Sequence, residues 1–295
     1  MSENILITGV NGFIGRALSK RFLAQGYNVI GIDIHKESMD AISKYYSGSV
    51  LDKDFLKPLI EQVDYVIHLA ALTAHKDIVD NRFKAMELNF LGTKNVLDAF
   101  IKSKTKKFVY ASTGKVYGRI YSLPLTEESP KEPLNPLGKS KYLTERLIDF
   151  YSSPEKSLLI LRLFNVYGKN LNKNFLIPNL IEQVKHSDVV TLGDINAKRD
   201  YIYIEDVVNA FNLCLENKTN EFEIFNVCSG IPRNAKDILE ILERILKKEI
   251  KIKINPSLFR YDEYPVEYGS YEKIKSRFGW SPLNSLESFL QDMVK

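Results

Sequence analysis

The chain has 295 residues, of which 44% are hydrophobic and 26% charged, the composition of an ordinary globular protein. This length allows one large or two modest domains and an ample buried core. The 41 basic and 37 acidic side chains leave a formal charge of +4, too small and too scattered for a nucleic-acid-binding surface, so we expect no nucleic-acid partner.

Cysteine usage and the N-terminus bear on the compartment. Cys214 and Cys228 stand in separate apolar contexts and lack the spacing of a metal site, so we predict buried thiols in a reducing compartment and no metal. Residues 1–3 lead directly into a predicted strand, which argues against a signal peptide. No apolar run approaches the length that spans a bilayer. These features predict a cytoplasmic protein without a membrane partner.

The N-terminal stretch has the layout of a dinucleotide-binding βαβ unit. An apolar strand over residues 4–8 runs into a glycine-rich turn over residues 9–15, and an amphipathic helix then ends at Gly26. A second predicted strand, residues 27–32, ends at Asp33. Strand, glycine turn, helix, strand and acid in this order predict a Rossmann-type unit.

Each part of this unit suits a bound dinucleotide. Among Gly9, Gly12 and Gly15, one permits the tight turn, one lets a pyrophosphate approach the backbone, and one lets helix and strand pack closely. The helix N-terminus supplies amide donors. Asp33 follows Gly15 by 18 residues and is placed to accept hydrogen bonds from the ribose hydroxyls. A carboxylate there disfavours a 2′-phosphate, so we predict NAD as the cofactor.

The pattern of strand and helix continues as far as Leu163. Near-continuous apolar strands that alternate with amphipathic helices predict a parallel sheet covered on both faces. The predicted strands are residues 48–51, 64–69, 107–112 and 157–163, and the predicted helices are residues 81–102 and one that starts near Pro136.

The regularity breaks after Asn165, which predicts a smaller second domain interleaved with the end of the sheet. We expect loops over residues 167–174 and 193–200, helices over 206–215 and 236–246, strands over 223–227 and 250–254, and two short helices around Gly279-Trp280. The predicted fold class is α/β, a doubly wound parallel sheet. The predicted domains are residues 1–165 with 200–228 for NAD, and residues 166–199 with 229–295 for the substrate.

Several blocks together resemble the extended short-chain dehydrogenases/reductases, specifically the nucleotide-sugar epimerases and dehydratases. The resemblance covers nearly the whole chain in the family's order. The matching blocks are Gly9 to Gly15, Asp33, Val66-Ile67-His68-Leu69-Ala70-Ala71, Asn89 before Gly92-Thr93, Ser112-Thr113 before Val116-Tyr117-Gly118, Arg162-Leu163-Phe164-Asn165-Val166-Tyr167-Gly168, and Arg199-Asp200-Tyr201 before Glu205-Asp206.

The resemblance implies a set of cofactor and substrate residues. It assigns the NAD site to Gly9, Asn11, Gly12, Phe13, Ile14, Gly15, Asp33, Ser49, Val50, Leu69, Ala70, Ala71, Asn89, Lys141 and Phe164. It assigns a nucleotide-diphosphate sugar to Thr113, Asn165, Leu176, Leu192, Arg199 and Arg260. In this set the two arginines grip the diphosphate, which suits a bidentate cation. One departure is Ser49, where the family commonly has an aspartate.

The catalytic triad that the resemblance implies is incomplete. Thr113 fills the hydroxyl position and Lys141 the lysine position, but the tyrosine that should stand one helical turn before Lys141 is Leu137. Leucine can neither accept nor donate a proton. Tyr142 lies roughly 140° around the same helix and should point elsewhere. Tyr117 and Tyr121 follow Thr113 in the chain, and the sequence does not show whether they reach the cleft.

The residues after Thr113 bear on the type of reaction. The 4,6-dehydratases of the family carry an Asp-Glu pair where this chain has Gly114-Lys115, which argues against that activity. Some related inverting dehydratases use a lysine base in this segment, so Lys115 is the first candidate for a substitute base if burial or a cationic neighbour lowers its pKa. A solvated loop lysine is the alternative.

Three hypotheses remain open. The first is an NAD-dependent epimerase or dehydratase of a nucleotide-sugar that oxidises the sugar transiently. The second is a homologue that binds NAD and nucleotide-sugar but has lost turnover. The third is an NAD-dependent reductase of a smaller molecule. The resemblance also implies a homodimer in which the helix over 81–102 and the helix that carries Lys141 form a four-helix bundle.

Overall fold

The computed structural model describes residues 2–219, 222–259 and 264–294. Within these ranges the strands are β1 (Asn4–Thr8), β2 (Asn28–Asp33), β3 (Lys44–Ser47), β4 (Tyr65–His68), β5 (Lys107–Thr113), β6 (Ser157–Leu163), β7 (Asn165–Tyr167), β8 (Val189–Leu192), β9 (Lys198–Tyr203), β10 (Phe222–Val227), β11 (Pro232–Arg233), β12 (Lys251–Ile254) and β13 (Val266–Glu267).

The α-helices alternate with these strands. They are α1 (Phe13–Ala24), α2 (Lys53–Ile60), α3 (His75–Asp80), α4 (Arg82–Met86), α5 (Thr93–Lys102), α6 (Pro136–Phe150), α7 (Leu176–His186), α8 (Ile204–Glu216), α9 (Ala235–Leu246), α10 (Glu272–Phe278) and α11 (Leu286–Val294). None of them, as far as the chain is described, has the length and apolar character to cross a membrane.

Seven strands form one parallel sheet in the order β10-β6-β5-β4-β1-β2-β3. Its inner strands carry apolar runs such as Ile5 to Ile7 and Leu158 to Leu161, which are fully buried, as expected where helices cover both faces. The strand order reverses between β1 and β4, so a crevice opens at the carboxyl ends of these two strands. The predicted Rossmann-type doubly wound fold is confirmed.

Two apolar layers hold the helices against this sheet. On one face α1, α8 and α10 contribute Leu18, Phe22, Val207, Val208, Phe211 and Ile274. On the other face α2, α5 and α6 contribute Leu56, Leu59, Ile60, Val96, Leu97, Phe100 and Ile148. The 3.6-residue spacing of these side chains turns one stripe of each helix to the sheet.

A third apolar cluster lies away from the large sheet. It joins α7, α9 and α11 to the parallel pair β8–β12 through Ile177, Leu180, Val190, Ile238, Leu242 and Leu290. A second small sheet, in which β7, β11 and β13 all pair with β9, connects this cluster to the end of β6. The domain boundaries stated above stay a prediction.

Some predicted elements need correction. The third strand was expected at residues 48–51 but lies at Lys44–Ser47. It is the edge strand of the sheet and has no buried residue, so it lacks the apolar run that marks the inner strands. Val50, an apolar residue within the predicted strand, is buried but lies after the end of β3.

The predicted helix over 81–102 is interrupted. Between α4 and α5 the segment Glu87–Gly92 takes π-helical turns. The last three residues of the predicted loop over 193–200 belong instead to β9, which begins at Lys198. The short strands β7, β11 and β13 and the helix α2 were not predicted.

One buried lysine joins the start of β5 to the end of α8. Lys107 Nζ donates hydrogen bonds to the carbonyl oxygens of Cys214, Leu215 and Asn217 at 2.7, 2.8 and 2.8 Å. A cation suits the negative end of the helix dipole and satisfies carbonyls that the helix leaves without partners. Its neighbour Lys106 is 60% exposed and pairs with surface carboxylates.

We expect Lys107→Met to lower the free energy of unfolding by about 2–3 kcal/mol, because it leaves three carbonyls at this helix end, two of them buried, without their donor. The matched change Lys106→Met should alter it by less than about 0.5 kcal/mol, since exposed ion pairs contribute little. Urea denaturation of the two variants tests this. Equal losses in both would contradict the capping role of Lys107.

Candidate active site

The predicted cofactor residues meet at the carboxyl edge of the large sheet. Five neighbouring strands end there, each with part of the predicted set at or just after its end, because parallel strands deliver their carboxyl ends to one edge. The residues at this edge are the glycine turn after β1, Asp33 at the end of β2, Leu69, Ala70 and Ala71 after β4, Thr113 at the end of β5, and Phe164 after β6.

The glycine turn has no room for side chains. Gly9 has a φ of +71°, and a Cβ there would lie 2.8 Å from the amide nitrogen of Ala70. A Cβ on Gly15 would lie 2.5 Å from the carbonyl oxygen of Gly9. Gly9 therefore permits the turn and Gly15 the close packing of α1 on β1. Gly12 is the N-cap of α1 and has no capping side chain, which leaves backbone amides at the helix start for an anion.

Asp33 is fixed in the crevice by the same turn. Its Oδ2 accepts a hydrogen bond from the backbone amide of Asn11 at 3.0 Å. The Asn11 side chain in turn donates to the carbonyl oxygen of Glu37 and accepts from the amide of Met39. The acid therefore lies at the mouth of the glycine turn, where the spacing predicted it.

The segment after β3 supplies a small apolar wall. Val50 is buried, and a Cβ on Gly92 would lie 2.7 Å from its Cγ2 atom. Ser49 is held locally, since its Oγ accepts from the amide of Leu51 at 3.2 Å. The absence of a side chain at Gly92 thus makes room for Val50 beside the predicted adenine position.

The π-helical segment places the buried side chain of Asn89 between the loop after β4 and α6. Asn89 Oδ1 accepts from the amide of Leu72 at 2.7 Å, and its Nδ2 donates to the carbonyl oxygen of Leu72 and to Ser140 Oγ. The side chain therefore fixes the loop after β4 against α6. Short π-helical turns often occur at functional sites.

Lys141 is enclosed beneath the crevice. Its Nζ donates to the carbonyl oxygen of Ala111 at 2.7 Å and lies 4.4 Å from the centre of the Tyr110 ring. Burial lowers the pKa of Lys141 to about 7, although the Glu145 carboxylate opposes the shift. Burial, together with the charge of Lys141, also lowers the pKa of His68 to about 3.

A buried ion pair holds the helix that carries Lys141. Glu145, one turn further along α6, pairs with Arg162 of β6 at 2.7 Å, and both side chains are 2% exposed. Ser112 of β5 donates to the same carboxylate. Arg162 also donates to the hydroxyl of Tyr117 at 3.0 Å.

The nearby tyrosines have other partners. Tyr117 is fully buried, its hydroxyl bonds Arg162 and Asn226, and burial raises its pKa although Arg162 opposes the shift. Tyr121 is exposed and bonds Glu132. Tyr142 packs against the apolar cluster around Val116, as expected from its angle on the helix. Leu137 is half-buried, one turn before Lys141.

Phe164 lies between two glycines. A Cβ on Gly114 would lie 3.1 Å from its ring, and one on Gly269 would lie 2.6 Å from it. Cys228 belongs to the same cluster, and burial raises the pKa of its thiol. The ring is therefore held in one position at the end of β6.

An ion pair joins the two segments that enclose this ring. Lys115, which follows Gly114, donates to Glu267 Oε2 at 3.1 Å, and the two side chains are 15% and 6% exposed. Thr113 Oγ1 accepts from the amide of Lys115 at 3.3 Å. The backbone of Lys115 also contacts Gly138, since a Cβ there would overlap the Lys115 carbonyl oxygen. The sequence did not predict Glu267, which lies in a two-residue strand.

The predicted substrate residues are divided between two places. Asn165 and Arg199 lie on β7 and β9 of the small sheet, where Asn165 donates to the carbonyl oxygen of Asp200. Arg199 pairs in register with Glu267 of β13. Leu176 and Leu192 lie in or against the third apolar cluster. Arg260 lies outside the described residues.

Comparison with known proteins identifies a family model and relatives that extend over most of this chain. The model of the NAD dependent epimerase/dehydratase family matches residues 5–228. GDP-6-deoxy-D-mannose reductase of Pseudomonas aeruginosa is 28% identical, over 100% of this chain and 97% of its own length.

Two solved structures have similar folds and similar lengths. UDP-glucose 4-epimerase of Thermotoga maritima, solved with UDP-glucose, is 29% identical with a TM-score of 0.89, over 99% of this chain and 97% of its own. UDP-glucuronic acid 4-epimerase of Bacillus cereus, solved with UDP-glucuronic acid and NAD, is 28% identical with a TM-score of 0.88. The match covers 99% of this chain and 98% of the other.

The buried Lys141 predicts a pH-dependent stability. Its pKa is about 7 in the folded chain and has its higher ordinary value when unfolded, so between these values only the unfolded chain holds the proton. Stability should therefore rise with pH in this window. Between about pH 7 and about pH 9, we expect the free energy of unfolding of the nucleotide-free chain to rise by about 2 kcal/mol relative to that of Lys141→Met. Urea denaturation at both values measures the gain.

The control for this experiment is Lys139→Met, which removes an exposed lysine from the same helix. Its free energy of unfolding should follow the wild-type dependence on pH. Parallel curves for the wild type and Lys141→Met would show that the amine of Lys141 does not titrate in this range.

Proposed function

Because this chain belongs to the NAD-dependent epimerase/dehydratase family, we propose that it epimerises or dehydrates a nucleotide-diphosphate sugar by oxidising the sugar transiently. The observation that carries this proposal is the convergence of two sets of residues. Thr113, Lys141 and Phe164 lie at the cofactor edge of the large sheet, and Asn165 and Arg199 lie on the small sheet that adjoins it.

NAD fits the crevice on the evidence of its shape. Side chains at Gly9 and Gly15 would collide with the backbone, which keeps the turn compact, and the uncapped start of α1 offers its backbone amides to a pyrophosphate. Asp33 is positioned for the adenosine ribose, Asn89 and the segment 69–71 for the floor of the site, and Phe164 for one face of the nicotinamide. When bound, NAD supplies a reversible acceptor for a hydride from the sugar.

The second set of residues would hold the substrate. The Arg199 guanidinium and the Asn165 amide suit a diphosphate, which presents several acceptors at once. Leu176 and Leu192 offer apolar contact for the nucleotide base. Thr113 would then donate to the oxygen of the sugar carbon that is oxidised, and Lys141 would orient the nicotinamide ribose.

The acid/base group is the atypical part of this site. Leu137 removes the usual phenol, and Tyr117 already bonds Arg162 and Asn226. Lys115 is a charged group next to Thr113, and its ammonium donates a hydrogen bond to the Glu267 carboxylate. We assign the proton transfer to Lys115, with Glu267 as its partner.

The 4,6-dehydratase reaction is disfavoured for a steric reason. An acid at position 114 would place its Cβ 3.1 Å from the Phe164 ring, closer than nearly all such contacts. Gly114 therefore leaves room for the Phe164 ring, and the chain lacks the first acid of that pair. A second candidate function, binding without turnover, is favoured by Leu137 alone, since losing a general base lowers rates by a factor of about 10²–10⁴.

Turnover separates the two candidates. We expect the purified chain to contain NAD, to melt at a higher temperature with at least one of UDP-, dTDP- or GDP-sugars, and to convert that sugar, as followed by NMR. Lys115→Met should lower the conversion rate by a factor of about 10²–10⁴ while the NAD content and the thermal shift persist. Lys139→Met, on the exposed face of α6, should convert the sugar at the wild-type rate.

Two other outcomes would contradict parts of the proposal. A thermal shift without conversion would support the binding protein. Unchanged conversion by Lys115→Met would remove Lys115 from the proton transfer but leave the reaction class in place.

We also propose a homodimer built from α4, α5 and α6. The adjoining faces of these helices expose large apolar side chains, among them Phe83 and Phe150, which are 90% and 84% exposed, with Leu91 and Leu143 nearly half exposed. Apolar faces of this kind mark interaction surfaces, and the same surface on two copies would form a four-helix bundle about a two-fold axis.

Light scattering after gel filtration tests the dimer. We expect the wild type to have twice the mass of one chain and Leu143→Glu to have the mass of one, because a buried unpaired carboxylate strongly disfavours an interface. Leu283→Glu, which alters an exposed leucine before α11, should remain dimeric. A wild-type monomer would contradict the proposal.

A further inference from the structure

The ion pair between Lys115 and Glu267 crosses from the large sheet to the small one. Lys115 follows β5, and Glu267 ends β13, separated from it by 152 positions in the chain. Phe164 is held between Gly114 and Gly269, which stand one and two positions from these two residues. The pair therefore joins the two segments that enclose the ring proposed for the nicotinamide position.

The carboxylate of Glu267 is fixed in place. It is 6% exposed and receives the Lys115 ammonium at 3.1 Å. On the small sheet it stands in register with Arg199, and paired residues of neighbouring strands lie on the same face. Its charge therefore lies between the segment that follows Thr113 and the strand that carries Arg199, the residue proposed for the diphosphate.

The charge balance there favours an uncharged sugar. Of the three cations near this place, Arg199 is assigned to the diphosphate, Glu267 offsets the charge of Lys115, and burial lowers the pKa of Lys141 to about 7. A carboxylate on the sugar ring would meet the carboxylate of Glu267 and would have to compete with it for Lys115. Like charges brought together in a poorly solvated site exclude a ligand more strongly than a missing contact does.

We propose that Glu267 is a specificity-determining residue that excludes nucleotide-uronates, so that the substrate is a nucleotide-sugar with an uncharged hexose. This inference rests on the proposed function and narrows its substrate class. The solved relatives described above were crystallised with UDP-glucose in one case and UDP-glucuronic acid in the other, so the family scaffold is compatible with both.

Two ligands that differ only at the sixth carbon of the sugar test this proposal. The dissociation constants of UDP-glucose and UDP-glucuronate are measured by calorimetry on the NAD-loaded protein, with GDP-mannose and GDP-mannuronate as a second pair. We expect the wild type to bind the uronate at least about tenfold more weakly than the neutral sugar. Glu267→Gln should remove most of this difference, mainly by strengthening uronate binding.

The controls separate charge from structure. Glu267→Asp keeps the carboxylate and should keep the discrimination. Glu272→Gln removes an exposed acid of α10 and should leave both affinities at their wild-type values. Melting temperature and NAD content show whether each variant is folded.

The outcomes distinguish a failure of the specificity role from a failure of the proposed function. If the neutral sugar binds but the uronate binds equally well, or if Glu267→Gln leaves the ratio unchanged, the specificity role is wrong and the proposed function stands. If none of the four nucleotide-sugars binds and no UDP-, dTDP- or GDP-sugar raises the melting temperature, the proposed function and the specificity role both fail.

Discussion

The position of α6 depends on the buried ion pair between Glu145 and Arg162, and the active site depends on α6. Glu145 stands one turn beyond Lys141, and Ser112, next to Thr113, donates to the same carboxylate. One ion pair thereby couples the helix to two neighbouring strands. Removing one partner of a pair this deeply buried leaves an uncompensated charge, at a typical cost of about 3–5 kcal/mol.

Burial also decides which groups near the cofactor edge can exchange protons. It brings the pKa of Lys141 to about 7 and that of His68 to about 3, so at neutral pH the histidine is uncharged. Tyr117 is committed to Arg162 and Asn226. This leaves Lys115, paired with Glu267 from a distant part of the chain, as the acid/base group proposed above.

The sequence predicted the large sheet well because its inner strands are continuous apolar runs and its first turn is a local glycine pattern. The edge strand β3 was misplaced, since its half-exposed residues carry no such run. Glu267 was not predicted at all, because it lies in a two-residue strand whose partners, Lys115 and Arg199, are distant in the chain. Asp33 could be placed from spacing alone, whereas Thr113, Asn165 and Arg199 were predicted only through the family resemblance.

The enclosure of Phe164 by Gly114 and Gly269 constrains how this active site can change during evolution. Any side chain at position 114 presses on the ring, and the ring cannot retreat toward Gly269, where space is even smaller. An acid at position 114 is therefore accessible only after the aromatic residue has become smaller or has moved. The order of substitutions at positions 114 and 164 is thus restricted, since an acid at position 114 needs a coupled change at the ring.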